Sequence, residues 1–172
     1  MLICFEGLDK SGKSTLIEEV LRQRPMCMVF RKPVPESLSP DDFSAYFRGV
    51  GMAVASIHGR VPKPILVDRS YISDWVYSNG EFLGWHRWAE WEFEVVEISQ
   101  AAIVYVSVSR DTQAQRLRDS ADPYCSEDDV IEFQRRYEDY FKRTSLPVIR
   151  VNGSGDISAN ATRVVSLIDN GH

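Results

Sequence analysis

The run GLDKSGKS at residues 7–14 constrains the fold of this chain more than any other part of its sequence. It fits the pattern G-x-x-x-x-G-K-[ST], whose glycines let the backbone turn and approach an anion closely. The apolar run LICF at residues 2–5 predicts a buried strand before it, and Lys13 to Arg24 has the periodicity of an amphipathic helix. Strand, loop and helix in this order predict a phosphate-binding site at a helix N-terminus.

Two side chains of this loop have separate tasks at a phosphate chain. Lys13 places a mobile positive charge on the β- and γ-phosphates, and the Ser14 hydroxyl can bind Mg²⁺. The successive backbone N–H groups of the loop point into one concavity that suits phosphate oxygens. A nucleotide polyphosphate with its magnesium ion is therefore the expected ligand.

Composition sets limits on the class of protein. The chain has 172 residues and predicts a single domain, residues 1–172. Its net charge of -5 argues against a protein that mainly coats nucleic acid, although a local basic groove remains compatible. Three cysteines without metal-ligand spacing predict reduced thiols and a cytoplasmic location. Neither a membrane span nor a signal peptide is expected.

Apolar runs and amphipathic segments alternate along the chain. Such alternation predicts a three-layer α/β fold, with a parallel five-stranded sheet and helices on both faces. In these sheets ligands bind beyond the carboxyl ends of the strands. The predicted strands are 2–5, 26–30, 64–67, 103–108 and 148–151, and the predicted helices are 13–24, from 39 or 41 to about 58, 71–78, 85–100, 112–118, 127–143 and 158–168.

A second polar group, Asp68-Arg69-Ser70, follows the apolar run at residues 65–67. An acidic residue after a strand near a phosphate loop is what a magnesium-supported site requires, so Asp68 joins Ser14 as a candidate metal ligand. Arg69 could hold a second anion through two parallel hydrogen bonds. An Asp at this place can also simply cap a helix.

A third group, Arg116-Leu117-Arg118, precedes a polar stretch. Two arginines two positions apart on a helix point in different directions, so one can reach inward while the other stays in solvent. Residues 116–126 are therefore predicted to form a short lid. Its closure would exclude water and bring an arginine onto the transferring phosphoryl group. A solvated basic turn is the alternative.

Three segments together resemble the thymidylate kinase and deoxynucleoside kinase branch of the P-loop kinases. They are FEGLDKSGKST at residues 5–15, VDRS at residues 67–70, and the stretch from Arg116 to Phe141. The resemblance implies a compact P-loop kinase fold, with ATP and Mg²⁺ as cofactors. It assigns the ATP phosphates to Gly7, Lys10, Ser11, Gly12, Lys13, Ser14 and Thr15.

The resemblance also implies roles on the acceptor side and in catalysis. Asp9 stands where thymidylate kinases direct an aspartate at the acceptor sugar 3′-hydroxyl, and Lys10 stands where some of them carry a catalytic arginine. Arg69 would grip the acceptor phosphate, and either Arg116 or Arg118 would act as the lid arginine. Lysine lacks the planar fork of arginine, so Lys10 would supply charge without bidentate geometry.

The segment after the second strand departs from the deoxynucleoside kinase pattern. In deoxynucleoside kinases a glutamate of this segment deprotonates the 5′-hydroxyl of the acceptor. This chain has Arg31 and Lys32 in the segment, with Lys32 in the place of the glutamate. A hydroxyl acceptor needs a base within reach, while an anionic phosphate acceptor needs cations. Arg31 and Lys32 therefore favour a nucleoside monophosphate as the acceptor.

Aromatic side chains offer candidate contacts to the acceptor base and to a second copy. Phe43, Phe47 and Tyr71 lie in regions that line the acceptor pocket in the related kinases, although core packing is their default role. The tryptophans within residues 85–91 recur at helical spacing, which indicates a core face that could continue into a homodimer contact.

The sequence therefore predicts a phosphotransferase of the nucleoside monophosphate kinase type. It would transfer the γ-phosphoryl group of MgATP to a deoxynucleoside monophosphate, with dTMP or a thymidylate analogue as the favoured acceptor. One alternative is a kinase for a hydroxyl acceptor, a deoxynucleoside or a hydroxymethylated pyrimidine, conceivably within DNA, with Asp9 or Asp68 as base. Another is an ATPase or nucleotide-binding switch without a small-molecule acceptor.

Overall fold

The structure, a computed structural model, describes residues 1–31, 63–78, 100–120 and 127–170. These residues form five strands and five helices that alternate for most of the chain. The strands are β1 (Leu2–Glu6), β2 (Met28–Arg31), β3 (Ile65–Asp68), β4 (Ala101–Ser107) and β5 (Val148–Asn152). The helices are α1 (Lys13–Gln23), α2 (Tyr71–Ser78), α3 (Arg110–Ser120), α4 (Glu127–Phe141) and α5 (Ile157–Asn170).

The five strands form one parallel sheet in the order β2-β3-β1-β4-β5. β1 lies at its centre, where Leu2 pairs with Ile65 on one side and Ala101 on the other. All five residues of β1 are buried, and its apolar run at residues 2–5 is typical of a strand covered on both faces. The predicted α/β fold with a parallel five-stranded sheet is confirmed.

Alternate residues of the sheet pack against different helices. On one face, Ile3 and Phe5 belong to a buried cluster with Leu16 of α1 and Val164 of α5. On the other face, Tyr105 of β4 belongs to a cluster built with residues of α2, α3 and α4. The sheet is thus the middle of three layers, and the carboxyl ends of its strands lie along one edge.

Several predicted boundaries move by a few residues. β2 was predicted to begin at residue 26 but begins at Met28, whose N–H donates to the Pro64 carbonyl. The residues before it form a turn instead, in which the Cys27 N–H donates to the Arg24 carbonyl. Gln100 lies outside any helix, and its carbonyl instead accepts the Leu2 N–H beside the start of β4. Hydrogen bonding between segments far apart in sequence sets these ends, so local patterns miss them.

Two of the predicted helices, from 39 or 41 to 58 and most of 85–100, lie outside the described residues, as does the tryptophan stripe. Among the described helices, none is both long and apolar enough to cross a membrane.

Candidate functional site

The loop between β1 and α1 takes the conformation that its glycines permit. Gly7 and Gly12 have φ of 141° and 104°, a region that side-chain-bearing residues rarely adopt. A Cβ on Gly7 would also lie 2.2 Å from the Val106 carbonyl oxygen. Lys10 takes a left-handed conformation as well, with φ of 61°. The loop therefore wraps closely around the end of β1, and α1 begins at Lys13.

Lys13 is buried, and its ammonium group points back into the loop. The side chain is 6% exposed, and Nζ donates to the carbonyls of Gly7 at 2.8 Å and Leu8 at 2.6 Å. Burial, and then the nearby charge of Arg69, lower the pKa of Lys13 to about 7. The charges of Asp9, Asp68 and Glu6 act in the opposite direction but do not outweigh burial and Arg69. An anion at the loop would add counter-charge to this desolvated ammonium.

Ser14 and Asp68 meet at the ends of two neighbouring elements. The exposed Ser14 hydroxyl, in the first turn of α1, lies 3.5 Å from Asp68 Oδ2 at the end of β3. The described residues contain no group of three or more His, Cys, Asp and Glu side chains that could hold a metal ion. A hydroxyl and one carboxylate leave most positions around a cation open, which fits Mg²⁺ carrying phosphate oxygens and water.

Asp9 and Arg69 form an ion pair in the cleft beside the loop. Arg69 Nη2 donates to Asp9 Oδ1, and the Tyr77 hydroxyl donates to the other carboxylate oxygen at 3.0 Å. Burial acts to raise the pKa of Asp9, but the charges of Arg69 and Lys13 and the bond from Tyr77 outweigh it. Its pKa therefore lies below the usual value, and Asp9 is an ionised hydrogen-bond acceptor.

Helix α3 is attached to the same loop through two side chains. Gln113, only 1% exposed, donates to the Asp9 carbonyl. Arg116 donates to the Lys10 carbonyl at 3.0 Å and to the Ser154 hydroxyl at 3.3 Å. The start of the predicted lid is thereby fixed to the loop, and Arg116 lines the cleft.

Arg118 points elsewhere on α3. Its guanidinium bonds the Gln115 side chain at 2.9 Å, and it does not line the cleft. Of the two candidate lid arginines, the structure therefore brings only Arg116 to the site, because residues two apart on a helix face different ways. Residues 121–126 of the predicted lid lie outside the described part of the chain.

The turn between β5 and α5 forms a wall of the cleft that the sequence did not predict. Gly153, Gly155 and Ile157 line it, and Gly153 packs so closely that a Cβ would lie 1.9 Å from the Ser11 carbonyl oxygen. The Asn152 side chain accepts the Ser154 N–H at 2.9 Å and fixes the turn. Two glycines just after the last strand were the available signal.

Glu6 is another residue that sequence reasoning missed. It is 0% exposed, and its carboxylate accepts hydrogen bonds from Ser70, Ser73 and Tyr137. It follows an apolar run and gives no pattern of its own, because its partners lie more than 60 residues away.

One cleft of about 860 Å³ lies at the carboxyl edge of the sheet, a size typical of small-ligand sites. It is lined by the phosphate loop, the Ser14–Asp68 pair, the Asp9–Arg69 pair, Arg116 and the β5–α5 turn. Its described lining has five basic side chains and three acidic ones, whereas the whole chain has a net charge of -5. This local excess of positive charge favours a polyanionic ligand. The basic residues are Lys10, Lys13, Arg31, Arg69 and Arg116, and the acidic ones are Asp9, Asp68 and Asp119; Gly12, Ser14 and Thr15 also line the cleft.

For Tyr71 the structure shows core packing, which was its default role, and, among the described residues, no contact that would mark an acceptor base site. Tyr71 is 5% exposed and packs in the core, with its ring 6.5 Å from that of Tyr140, because the first turn of α2 faces the sheet. Three other predicted contacts, Lys32, Phe43 and Phe47, lie outside the described residues.

Solved structures that superpose on nearly the whole of this chain include nucleotide-bound proteins. The YorR protein of Bacillus subtilis, in complex with phosphorylated GDP, superposes with a TM-score of 0.75 at 17% identity, covering 98% of this chain and 96% of that one. Deoxyadenosine kinase from M. mycoides with bound dCTP gives a TM-score of 0.63 at 17% identity, covering 99% and 100%. The chain has the fold of these proteins.

The same kinase with bound dATP gives a TM-score of 0.61, also at 17% identity, and covers 98% of this chain and 100% of that one. The predicted resemblance to the thymidylate and deoxynucleoside kinase branch of the P-loop kinases is therefore confirmed at the level of the fold. No protein-family model matches the sequence, and no curated protein matches it significantly.

Proposed function

We propose that this chain is an ATP-dependent nucleotide kinase that transfers the γ-phosphoryl group of MgATP to a deoxynucleoside monophosphate. The favoured acceptor is dTMP or a thymidylate analogue. One observation carries the proposal: the phosphate loop, the Ser14–Asp68 pair and the Arg69–Asp9 pair all line one basic cleft. Donor and acceptor can therefore meet there.

The donor side uses the loop and Lys13. Backbone N–H groups of the loop and the Lys13 ammonium bind the β- and γ-phosphates, and the adjacent turn at Gly153 approaches the loop from the side. Magnesium, bound by Ser14 and Asp68, would neutralise charge on the phosphate oxygens. Arg116 lies close enough to the loop to exchange its Lys10 carbonyl contact for a phosphoryl oxygen.

The acceptor side uses Arg69, Asp9 and Arg31. An acceptor phosphate oxygen attacks the γ-phosphorus in line, the bond to the β-phosphate oxygen breaks, and ADP leaves. Arg69 and Arg31 hold the acceptor phosphate, while the ionised Asp9 accepts a hydrogen bond from the sugar hydroxyl. Catalysis consists of positioning and charge stabilisation.

A deoxynucleoside acceptor is the second candidate. It is supported by the deoxyadenosine kinases among the structural neighbours and by two carboxylates, Asp9 and Asp68, in the cleft. The lowered pKa of Asp9 makes it a weak base, which counts against Asp9 for that task. The cytoplasmic location and the homodimer remain predictions.

A coupled ADP-release assay tests the proposal. MgATP is combined with each common nucleoside monophosphate, nucleoside and modified pyrimidine, and the proposal predicts faster release with one monophosphate. Lys13→Met should lower this rate at least about 100-fold through lost charge stabilisation, while Lys142→Met, at an exposed lysine paired with Asp139 on α4, should not. ADP release that is equally fast with and without every acceptor would instead indicate an ATPase.

A further inference from the structure

A buried carboxylate adjoins the phosphate loop but touches neither substrate in the proposed transfer. Glu6 ends β1 and is 0% exposed. Its Oε1 accepts hydrogen bonds from the N–H and the hydroxyl of Ser70, each at 2.7 Å. Its Oε2 accepts them from the hydroxyls of Ser73 at 2.5 Å and Tyr137 at 3.1 Å. Four donors match the capacity of an ionised carboxylate, which is costly to bury without them.

The Ser73 hydroxyl connects this carboxylate to the cleft. It donates to Glu6 Oε2 and accepts a hydrogen bond from Arg69 Nη1 at 3.2 Å. Arg69 Nη2 then donates to Asp9 Oδ1. Because a hydroxyl has one proton, donation to Glu6 leaves the lone pairs of Ser73 for Arg69. The chain Glu6–Ser73–Arg69–Asp9 thus has a fixed direction.

The backbone of Arg69 also depends on β1. Its φ of 66° lies in the left-handed region, which is uncommon for a residue other than glycine. Two hydrogen bonds hold this conformation from either side: the Arg69 N–H donates to the Phe5 carbonyl at 3.1 Å, and the Ser70 N–H donates to Glu6. Glu6 therefore supports both the backbone and the side chain of Arg69.

We propose that Glu6 is a positioning residue that orients Arg69, and through it Asp9, for the acceptor. The role in acceptor binding rests on the proposed function, whereas the link from Glu6 to Asp9 can be measured without any substrate. The two serines provide a matched pair of variants. Both hydroxyls bond the same buried carboxylate, but the Ser70 hydroxyl is bonded in turn by the Ile72 N–H, whereas the Ser73 hydroxyl is bonded by Arg69.

The kinetic experiment compares Ser73→Ala with Ser70→Ala. Ser73→Ala should raise the KM for the acceptor about tenfold and leave the KM for ATP within about twofold, because only the acceptor side is disordered. Ser70→Ala should leave both values near those of the parent chain. Melting temperatures of both variants report any general loss of stability. Equal rises in acceptor KM for the two variants would mean that Glu6 has only a structural role.

The second readout, carboxyl NMR of Asp9, does not need an active enzyme. The resonance is assigned with Asp9→Asn and titrated in the parent chain and both variants. Loosening of Arg69 in Ser73→Ala should raise the pKa of Asp9 by at least about half a unit, and Ser70→Ala should not change it. An unchanged Asp9 titration in Ser73→Ala overturns the assignment. Absence of phosphoryl transfer in the parent chain, with the expected NMR change, overturns only the proposed function.

Glu6→Gln is the more severe variant, because an amide NH₂ group replaces one of the two carboxylate oxygens and cannot accept hydrogen bonds. The NH₂ group would face the donors of Ser70 at one position, or those of Ser73 and Tyr137 at the other. If it folds, it should raise the acceptor KM and the Asp9 pKa at least as far as Ser73→Ala does. A folded Glu6→Gln variant with parent values of both would contradict the assignment. If it does not fold, the serine pair decides the question.

Discussion

Lys13 combines deep burial with a charge that the loop's own carbonyls only partly stabilise. Burial and the Arg69 charge outweigh the nearby carboxylates Asp9, Asp68 and Glu6, so a further anion is needed to stabilise the ammonium fully, and phosphate can supply it. With a pKa of about 7, much of it is neutral above neutral pH in the absence of ligand. Polyphosphate binding favours the charged form and should therefore raise the pKa of Lys13.

Nucleotide binding should consequently take up a proton in mildly alkaline solution. Below pH 7 Lys13 is already protonated in the free protein, so its titration should change the affinity for ATP little. Above pH 7 the affinity for ATP should fall as the pH rises, because binding must first protonate Lys13. Calorimetry of ATP binding at pH 8 to 9, in two buffers of different ionisation enthalpy, measures the uptake. It should approach about one proton in the parent chain.

Lys13→Arg is the control for this titration, because arginine stays charged throughout the range. Its proton uptake should be close to zero wherever it still binds ATP. Uptake of the same size in Lys13→Arg would assign the proton to another group.

For individual residues, the sequence predicts those whose position is fixed by a motif. It misses those whose surroundings depend on contacts with residues far along the chain. Lys13, Ser14 and Asp68 could be named as candidate site residues because the loop motif or the end of an apolar run marks each position. Glu6 and Gln113 could not, because their partners lie 60 or more residues away. For Tyr71 the sequence left core packing, the default, and an acceptor contact both open, because the choice depends on which side of α2 meets the sheet.

The β5–α5 turn and the phosphate loop form a unit in which each limits the position of the other. Gly153→Ala places a Cβ 1.9 Å from the Ser11 carbonyl oxygen, so one of the two segments must move. We expect a loss of about 1–3 kcal/mol in the free energy of unfolding and a KM for ATP raised about tenfold. Denaturant unfolding and initial rates measure these effects.

Gly155→Ala is the matched control in the same turn. Its nearest neighbour, the Asn152 carbonyl oxygen, would lie 3.2 Å from the new Cβ, which small shifts can accommodate. Its effects on stability and on the KM for ATP should be clearly smaller. Comparable changes in the free energy of unfolding and in the KM for ATP in both variants would mean that the Gly153 contact has no special role.

The two candidate lid arginines of helix α3 lie in different surroundings, and their substitutions should differ accordingly. Arg116→Ala should lower kcat about 100-fold, because it removes the arginine that lines the cleft beside the loop. Arg118→Ala removes a side chain bonded to Gln115 outside the cleft and should have a much smaller effect. A larger loss of kcat in Arg118→Ala would contradict this assignment of the lid arginine.

Helical periodicity located α3 but not its extent. The predicted span 112–118 became Arg110–Ser120, because the Ser109 hydroxyl caps the N-terminus by accepting the Thr112 N–H at 3.3 Å. Capping and sheet pairing decide such ends, whereas the apolar pattern decides only that an element exists.

For the whole molecule, alternating strands and helices together with one specific loop sufficed to predict the fold. The three central strands, β1, β3 and β4, are largely buried and mostly apolar, so they could be recognised from their own residues. The edge strands β2 and β5 are less buried and give shorter apolar runs. The strand order brings the ends of β1 and β3 side by side, and this places Ser14 next to Asp68 and Asp9 next to Arg69. The acceptor could not be derived in the same way, because its recognition depends on pocket shape.

The most direct test of the proposed kinase follows the label from [γ-³²P]ATP into identified products, with dTMP and thymidine offered separately at equal concentration. The basic cleft and the weakly basic Asp9 lead us to expect labelled dTDP, with a kcat/KM for dTMP at least about 100-fold above that for thymidine. Labelled dTMP formed from thymidine, with no labelled dTDP, would contradict the assignment of a phosphate acceptor.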